Sequence, residues 1–358
     1  MSTTLDTYRL LGRSGLRVSP LSLGTMTFGE DWGWGTDKAE AQRILDTYAD
    51  RGGNFVDTAS MYTNGTSEQL LGQLTQDRRD QFVLATKYTM ITNPTDPNAG
   101  GNHRKSMVRS VERSLRNLQT DYIDLLYLHA WDFTTPVEEI LRAMDDLVRQ
   151  GKVLYVGISD APAWQVSRMQ AIADLRGWSP LVALQVEYSL VERTVERDLI
   201  PMARELGLGV LPWSPLASGV LTGKYTRADL DHDGGTAGAA GTRKNVAASG
   251  NALTERALDI ADVVKVVAER NGWTPAQVAL AWTLQNPGVT SPIIGARTLN
   301  QFEQNLTALD VEFSAQDLAE LEAVSAIELG FPHEMLSRPM TQSVTRAGLK
   351  IESAPVPR

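Results

Sequence analysis

Apolar residues follow two alternating rhythms along this chain. Short continuous runs rich in Val, Leu, Ile, Phe and Ala are separated by longer stretches in which apolar positions recur every three or four residues. The runs read as strands buried on both faces, and the longer stretches read as helices packed against them. Strands are predicted over 21–25, 54–57, 82–86, 124–128, 154–158, 181–184, 209–212 and 291–294. Ala41, Ile44, Leu45, Tyr48 and Ala49 mark one intervening helix, which Gly52 and Gly53 stop before the strand ending at Asp57. Val137, Ile140, Leu141, Met144, Leu147 and Val148 mark another. There, Thr135-Pro136-Val137-Glu138 has the form of a capping box with Pro136 at the first helical position, and Gly151 is the stop. Repeated strand-helix alternation with fully apolar runs predicts an α/β fold whose parallel sheet closes into a (β/α)8 barrel.

Three stretches fall outside the repeat. Residues 8–11 and 16–18 are short extended segments around Ser14-Gly15, an expected N-terminal hairpin outside the barrel. Residues 226–250 include the small-residue run 233–241, which has little surface to bury and reads as a mobile loop, either a lid or a disordered insertion. The tail 327–358 has weak periodicity and is expected to run irregularly over the barrel surface or rim, without forming a domain of its own. The whole chain, 1–358, reads as one barrel domain, since such barrels use roughly 250 residues and tolerate insertions.

Six of the runs end in a residue able to do chemistry. These are Asp57, Lys87, His129, Ser159, Gln185 and Trp213. In a closed parallel barrel every strand delivers its last side chain to the same rim, so these separated positions converge on one site. Composition then narrows what that site does. A formal charge of -9 with no basic run disfavours nucleic acid. There are no cysteines, and the four histidines are dispersed, so metal chemistry is disfavoured as well. Without a basic N-terminal region followed by an apolar stretch, or any long apolar run, the expectation is a soluble cytoplasmic enzyme.

Asp57, Tyr62, Lys87 and His129 have consistent separate roles. A carbonyl that receives hydride becomes an alkoxide and needs a proton, which Tyr62 can give as general acid. Lys87 beside it is expected to ease release of the phenolic proton, Asp57 to hold Lys87, and His129 to donate to the carbonyl oxygen. Trp32 and Trp34, on the glycine-rich loop 29–35, are candidates for a substrate wall.

The segment Gly53-Asn54-Phe55-Val56-Asp57-Thr58-Ala59-Ser60-Met61-Tyr62, with Ser67-Glu68-Gln69-Leu70-Leu71-Gly72 behind it, resembles the signature of the aldo-keto reductase superfamily, in its NADPH-dependent, bacterial-type form. Ala85-Thr86-Lys87, the stretch from Asp121 to His129 and the stretch from Gly151 to Ser159 continue the resemblance, which runs in order from about Tyr8 to Ser325. It implies a TIM barrel that binds NADP(H) without a Rossmann domain, a small-molecule carbonyl substrate, and Asp57, Tyr62, Lys87 and His129 as the catalytic tetrad. By the same resemblance Ser159, Asp160 and Gln185 hold the nicotinamide carboxamide and Trp213 stacks on its ring. Asp160 departs from the asparagine usual there and can accept a hydrogen bond but not donate one unless protonated. Residues 214–224, with Ser214, Leu216, Ser218, Gly219 and Lys224, resemble the loop that covers the pyrophosphate.

At the other end of the cofactor, Thr298 and Gln301 have capping-box spacing at a helix start, with Arg297 just before it, which makes an anion site. The resemblance assigns Gly295, Arg297, Gln301 and Asn305 to the adenosine 2′-phosphate and adenine, so NADPH is preferred to NADH. Two readings compete with a reductase. Glu187 and Asp160 are plausible carboxylates of a barrel glycoside hydrolase, and a chain of this fold can serve as a nucleotide-sensing binding module.

Overall fold

A computed structural model describes residues 3–230, 252–347 and 349. Strands β1 (Arg9–Leu10) and β2 (Arg17–Val18) pair antiparallel as the expected hairpin. The next eight are β3 (Ser22–Gly24), β4 (Phe55–Asp57), β5 (Val83–Tyr88), β6 (Ile123–Leu128), β7 (Val153–Ser159), β8 (Leu181–Glu187), β9 (Gly209–Trp213) and β10 (Ile293–Ile294). They form one parallel sheet in the order β10-β3-β4-β5-β6-β7-β8-β9. A parallel bridge between Val210 of β9 and Val289, with the Thr290 N–H donating to the Val210 carbonyl at 2.8 Å, draws the two edges together. The result is a nearly closed (β/α)8 TIM barrel. Its seam is β10, which keeps two ladder residues where four are expected; Pro292 has no N–H to extend the ladder.

Helices α1 (Lys38–Asp50), α2 (Thr66–Thr75), α3 (Arg104–Leu118), α4 (Val137–Arg149), α5 (Ala163–Arg176) and α6 (Leu199–Leu206) cover the first strands. They are followed by α7 (Glu255–Asn271), α8 (Pro275–Gln285), α9 (Leu299–Leu306) and α10 (Ala315–Ser325). The sheet separates two layers of core. Phe55, Val83, Ala85, Leu125, Tyr127, Ala183, Leu211 and Ile293 fill the barrel together with Leu11 and Val18 of the hairpin. Val56, Leu84, Leu126, Leu128, Ile158, Leu184 and Val210 face the helices instead. This two-residue alternation is what aims the site. Asp57 lies two residues beyond Phe55, Lys87 beyond Ala85, His129 beyond Tyr127, Gln185 beyond Ala183 and Trp213 beyond Leu211, so all five continue the inner face at the C-terminal rim. The hairpin plugs the opposite end. Gly12 there has φ +56, and a side chain on it would strike the Val182 and Gly207 carbonyl oxygens.

Three expectations need correction or limits. Helix α4 starts at Val137, and Pro136 is its N-cap with an extended ψ of 138°, so Thr135 and Glu138 form no capping box. The reason is Asp132, whose carboxylate accepts the Thr134 and Thr135 N–H groups and the Thr135 hydroxyl, at 2.8 to 3.0 Å, and so ends the turn before the helix starts. The tail is not irregular throughout. It contains α11 (His333–Ser337) and α12 (Pro339–Arg346), neither of which buries a residue, which is why no apolar periodicity announces them. Of the loop 226–250, residues 231–250 lie outside the described residues. Its start is held to α7 by Arg227, which pairs with Asp259 and Asp262 at 2.5 and 2.9 Å. Among the described residues no helix is long and apolar enough to cross a membrane, and no cluster of three His, Asp or Glu side chains could hold a metal ion.

Candidate active site

Lys87 is the centre of the site. Its side chain is buried, and its Nζ donates to Asp57 Oδ1 at 2.5 Å, to the Thr58 carbonyl at 2.8 Å and to the Tyr62 hydroxyl at 3.1 Å. Three donors of an ammonium therefore meet three acceptors. A buried ion pair is tolerated when its remaining polar atoms are satisfied as well. The second Asp57 oxygen accepts from Gln185 Nε2 at 2.9 Å, so the carboxylate is held from two strands. Burial works against the ammonium, but Asp57 and then Tyr62 outweigh it and hold Lys87 above its ordinary pKa.

Tyr62 reaches the lysine from the turn after β4. That turn places Thr63 and Asn64 at φ 45° and 56°, a left-handed conformation uncommon for residues other than glycine. Thr63 is fully buried and pins the turn: its hydroxyl donates to the Phe28 carbonyl at 2.8 Å and accepts from the Ser67 N–H at 3.0 Å. The balance on the phenol differs from expectation. Burial pushes the Tyr62 pKa up, and Lys87 offsets this only in part, so the net direction is upward despite the adjacent cation. Removing water penalises a phenolate more than one already neutralised ammonium repays.

His129 completes the group. Its ring lies edge-on to that of Tyr62, with centroids 6.0 Å apart. Burial, followed by repulsion from Lys87, lowers its pKa to about 3, so the imidazole is neutral and has one donor and one acceptor nitrogen. Its Nδ1 is buried without a partner. The backbone is anchored by Thr89, whose hydroxyl accepts the His129 N–H at 3.2 Å, and fully buried Asn102 donates to the same hydroxyl at 3.0 Å and to the Ala130 carbonyl at 2.9 Å.

Beside the tetrad stands a second group. Ser159 is buried; its hydroxyl makes no hydrogen bond of good geometry but lies close enough to the Asp160 carboxylate to stabilise its charge. Asp160 has φ +43 and accepts from Trp213 Nε1 at 3.0 Å. Burial in the walls of the mouth raises its carboxyl pKa against the pull of that indole N–H, the Ser159 hydroxyl and Lys87, although the residue stays open to solvent. Trp32 and Trp34 tilt against each other at 5.7 Å and are half-buried.

A family model described as "Aldo/keto reductase family" matches residues 20–326. The chain belongs to this family. It is 39% identical, over 96% of its length and 91% of the relative's, to the norsolorinic acid reductase stcV of Emericella nidulans. It is 38% identical to the aryl-alcohol dehydrogenase GME11368 of Pestalotiopsis microspora, over 93% of this chain and 85% of the relative. It is 36% identical to the aryl-alcohol dehydrogenase [NADP(+)] of Phanerodontia chrysosporium, over 92% and 89%. These relatives are fungal and lend no support to the bacterial-type qualification.

The rest of this aldo/keto reductase's expected cofactor residues are dispersed. Residues 214–224 form a compact turn: the Ser214 hydroxyl accepts the Ser218 N–H at 3.2 Å, and the Leu216 carbonyl accepts the Gly219 N–H at 2.9 Å. A side chain on Gly219, at φ +92, would come within 2.8 Å of Lys224 Nζ, so the ammonium lies directly over the glycine. At the start of α9, Thr298 accepts from the Gln301 N–H at 3.3 Å, but the Gln301 side chain accepts from the Arg297 N–H at 3.1 Å, one residue before the position a capping box requires. Arg297 itself is exposed. Asn305 is buried, with a long 3.4 Å contact to the Gly295 carbonyl. Glu40 of α1 already accepts the Leu299 N–H at 2.6 Å, a carboxylate on the helix start that the sequence gives no hint of.

Other residues escape sequence reasoning for the same reason. Glu68 is fully buried behind Lys87's strand, accepting from the Thr86 hydroxyl at 2.7 Å and from Asn117 Nδ2 at 2.9 Å. Glu187, considered above only as a hydrolase carboxylate, is raised to about 7 by burial and then by Glu192 and Asp160. Neither has a sequence neighbour that reveals its environment.

Proposed function

We propose that this protein reduces aldehydes and ketones to alcohols reversibly with NADPH, with Tyr62 as the general acid. The observation that carries the reading is the single Lys87 ammonium that touches both Asp57 and the Tyr62 hydroxyl, at 2.5 and 3.1 Å. The chain's residues fit the cofactor: the buried Ser159 hydroxyl, which makes no hydrogen bond of good geometry, and the half-buried Trp213 indole offer a polar anchor and a stacking face beside the tetrad. When bound, NADPH supplies hydride to the carbonyl carbon. The neutral His129 donates to the carbonyl oxygen and orients it. Tyr62 then passes its proton to that oxygen, and Lys87 stabilises the phenolate left behind. Burial raises the cost of that phenolate, so the lysine is needed in the step itself and not merely nearby.

At the outer end, Arg297, Gln301 and Asn305 would hold the adenosine 2′-phosphate and adenine, and residues 214–224 would cover the pyrophosphate. The names of the relatives, norsolorinic acid reductase and aryl-alcohol dehydrogenase, support aromatic carbonyls and alcohols as the substrate class. Trp32, Trp34 and the 75%-exposed Phe133 on the loop after β6 offer apolar faces for such a ring. Tyr62→Phe tests the assignment. It should lower NADPH-dependent turnover of benzaldehyde by about 10²- to 10⁴-fold, the usual contribution of a positioned acid, while leaving NADPH binding intact. Turnover retained in that variant would refute the acid.

A further inference from the structure

Asp160 stands where a neutral amide is expected, and the structure shows what its charge is attached to. The residue follows β7 at φ +43, its N–H donates to the Gln185 carbonyl at 3.2 Å, and its own carbonyl accepts the Trp131 N–H at 3.2 Å. This backbone is therefore fixed from β8 on one side and from the loop after β6 on the other. Its carboxylate is fixed as well, by Trp213 Nε1 at 3.0 Å. Trp213 in turn lies opposite Glu187 in the β8–β9 ladder. The carboxylate is electrically coupled to the tetrad: Lys87 attracts it, and it acts on Tyr62.

Two chemical facts about the nicotinamide ring give that charge a consequence. The oxidised ring carries a positive charge and the reduced ring carries none. A fixed carboxylate beside the ring therefore stabilises one redox state by Coulomb attraction and leaves the other nearly unaffected. We propose that Asp160, clamped to the edge of the Trp213 indole, biases this protein toward the oxidised dinucleotide, so that NADP+ binds more tightly relative to NADPH than it would to a neutral site. The inference rests on the placement of nicotinamide against Trp213 given under Proposed function. By linkage, the same bias pulls the bound equilibrium toward reduction of the carbonyl to the alcohol.

Asp160 also bears on Tyr62, so rates alone do not isolate the effect. Equilibrium binding does. The experiment measures dissociation constants of NADP+ and NADPH by quenching of tryptophan fluorescence, at pH 8, for the full-length protein and Asp160→Asn. Asparagine adopts the left-handed backbone region readily and preserves the shape, so folding should be unaffected. Glu187 is ionised in both proteins at that pH and cancels. The ratio of the NADP+ to the NADPH constant should rise about tenfold in Asp160→Asn, the size of one charge interaction in a half-solvated mouth. In the unsubstituted protein the ratio should also rise with added salt, and in the variant it should not. An unchanged ratio with normal NADPH binding, or an equal loss of both ligands, overturns this inference alone. Failure of the unsubstituted protein to bind either dinucleotide overturns it together with the cofactor reading.

Discussion

The two ends of the proposed dinucleotide site are built on opposite plans. The Lys87–Asp57 pair is prepaired and dry: the two side chains are 0% and 3% exposed, and each of their polar atoms has a partner from another strand. Around α9 the charged group is wet and the amide loosely engaged: Arg297 is exposed, buried Asn305 makes only a 3.4 Å contact, and Glu40 already sits on the Leu299 N–H. Chemistry that moves a proton needs fixed geometry in low dielectric, whereas recognition of a phosphate needs a charge that water can leave and return to. The barrel supplies the first from strand ends, and in the proposed reading a helix start and an arginine supply the second.

Lys87→Met attacks the dry end and should have the largest effect. It strands the Asp57 carboxylate with only Gln185, which costs about 3–5 kcal/mol of stability as well as most of the turnover. Urea unfolding alongside the benzaldehyde assay measures both; activity lost without loss of stability would mean that the pair is wetter than its burial implies. Next comes Glu187, at the edge between the two plans. Its carboxyl is raised from 4.5 to about 7, so the folded state prefers it protonated, and its contribution is present below pH 4.5 and lost as pH rises through about 7. Glu187→Gln should therefore be more stable than the unsubstituted protein at pH 8, by about 1–2 kcal/mol once the water that still reaches this half-buried carboxyl is allowed for, and no more stable at pH 4. Thermal unfolding at the two pH values decides it. A constant difference between them would assign the effect to packing. The smallest change is expected at the wet end: Arg297→Ala should lower the ratio of NADPH to NADH kcat/KM by about tenfold, the worth of one charge-assisted hydrogen bond, with no change in stability. If the ratio held, the 2′-phosphate would have to be recognised elsewhere.

Much of the dry end is legible in the sequence, because the strand period alone places it. Once Phe55, Ala85 and Tyr127 face the barrel interior, Asp57, Lys87 and His129 must face it too. Tyr62 is harder, since its position depends on the left-handed turn at Thr63 and Asn64, and the resemblance to the reductase signature supplied what periodicity does not. Local hydrogen-bond competition explains the errors. Thr135 looks like a cap until Asp132 takes its hydroxyl, and Gln301 looks like the far half of a capping box until it bonds the Arg297 N–H. Helices α11 and α12 left no trace because neither buries a residue.

The sequence by itself determined the alternation of strand and helix, the inner and outer faces of each strand, and hence which side chains reach the rim, because each of these depends on spacing along one segment. Tertiary structure alone decided that Gln185 holds Asp57, that Trp213 clamps Asp160, that Glu40 reaches α9, and that burial outweighs Lys87 in setting the Tyr62 proton. Each of those outcomes is a contest between partners far apart in the chain, and the winner is set by distance and by how much water is left between them.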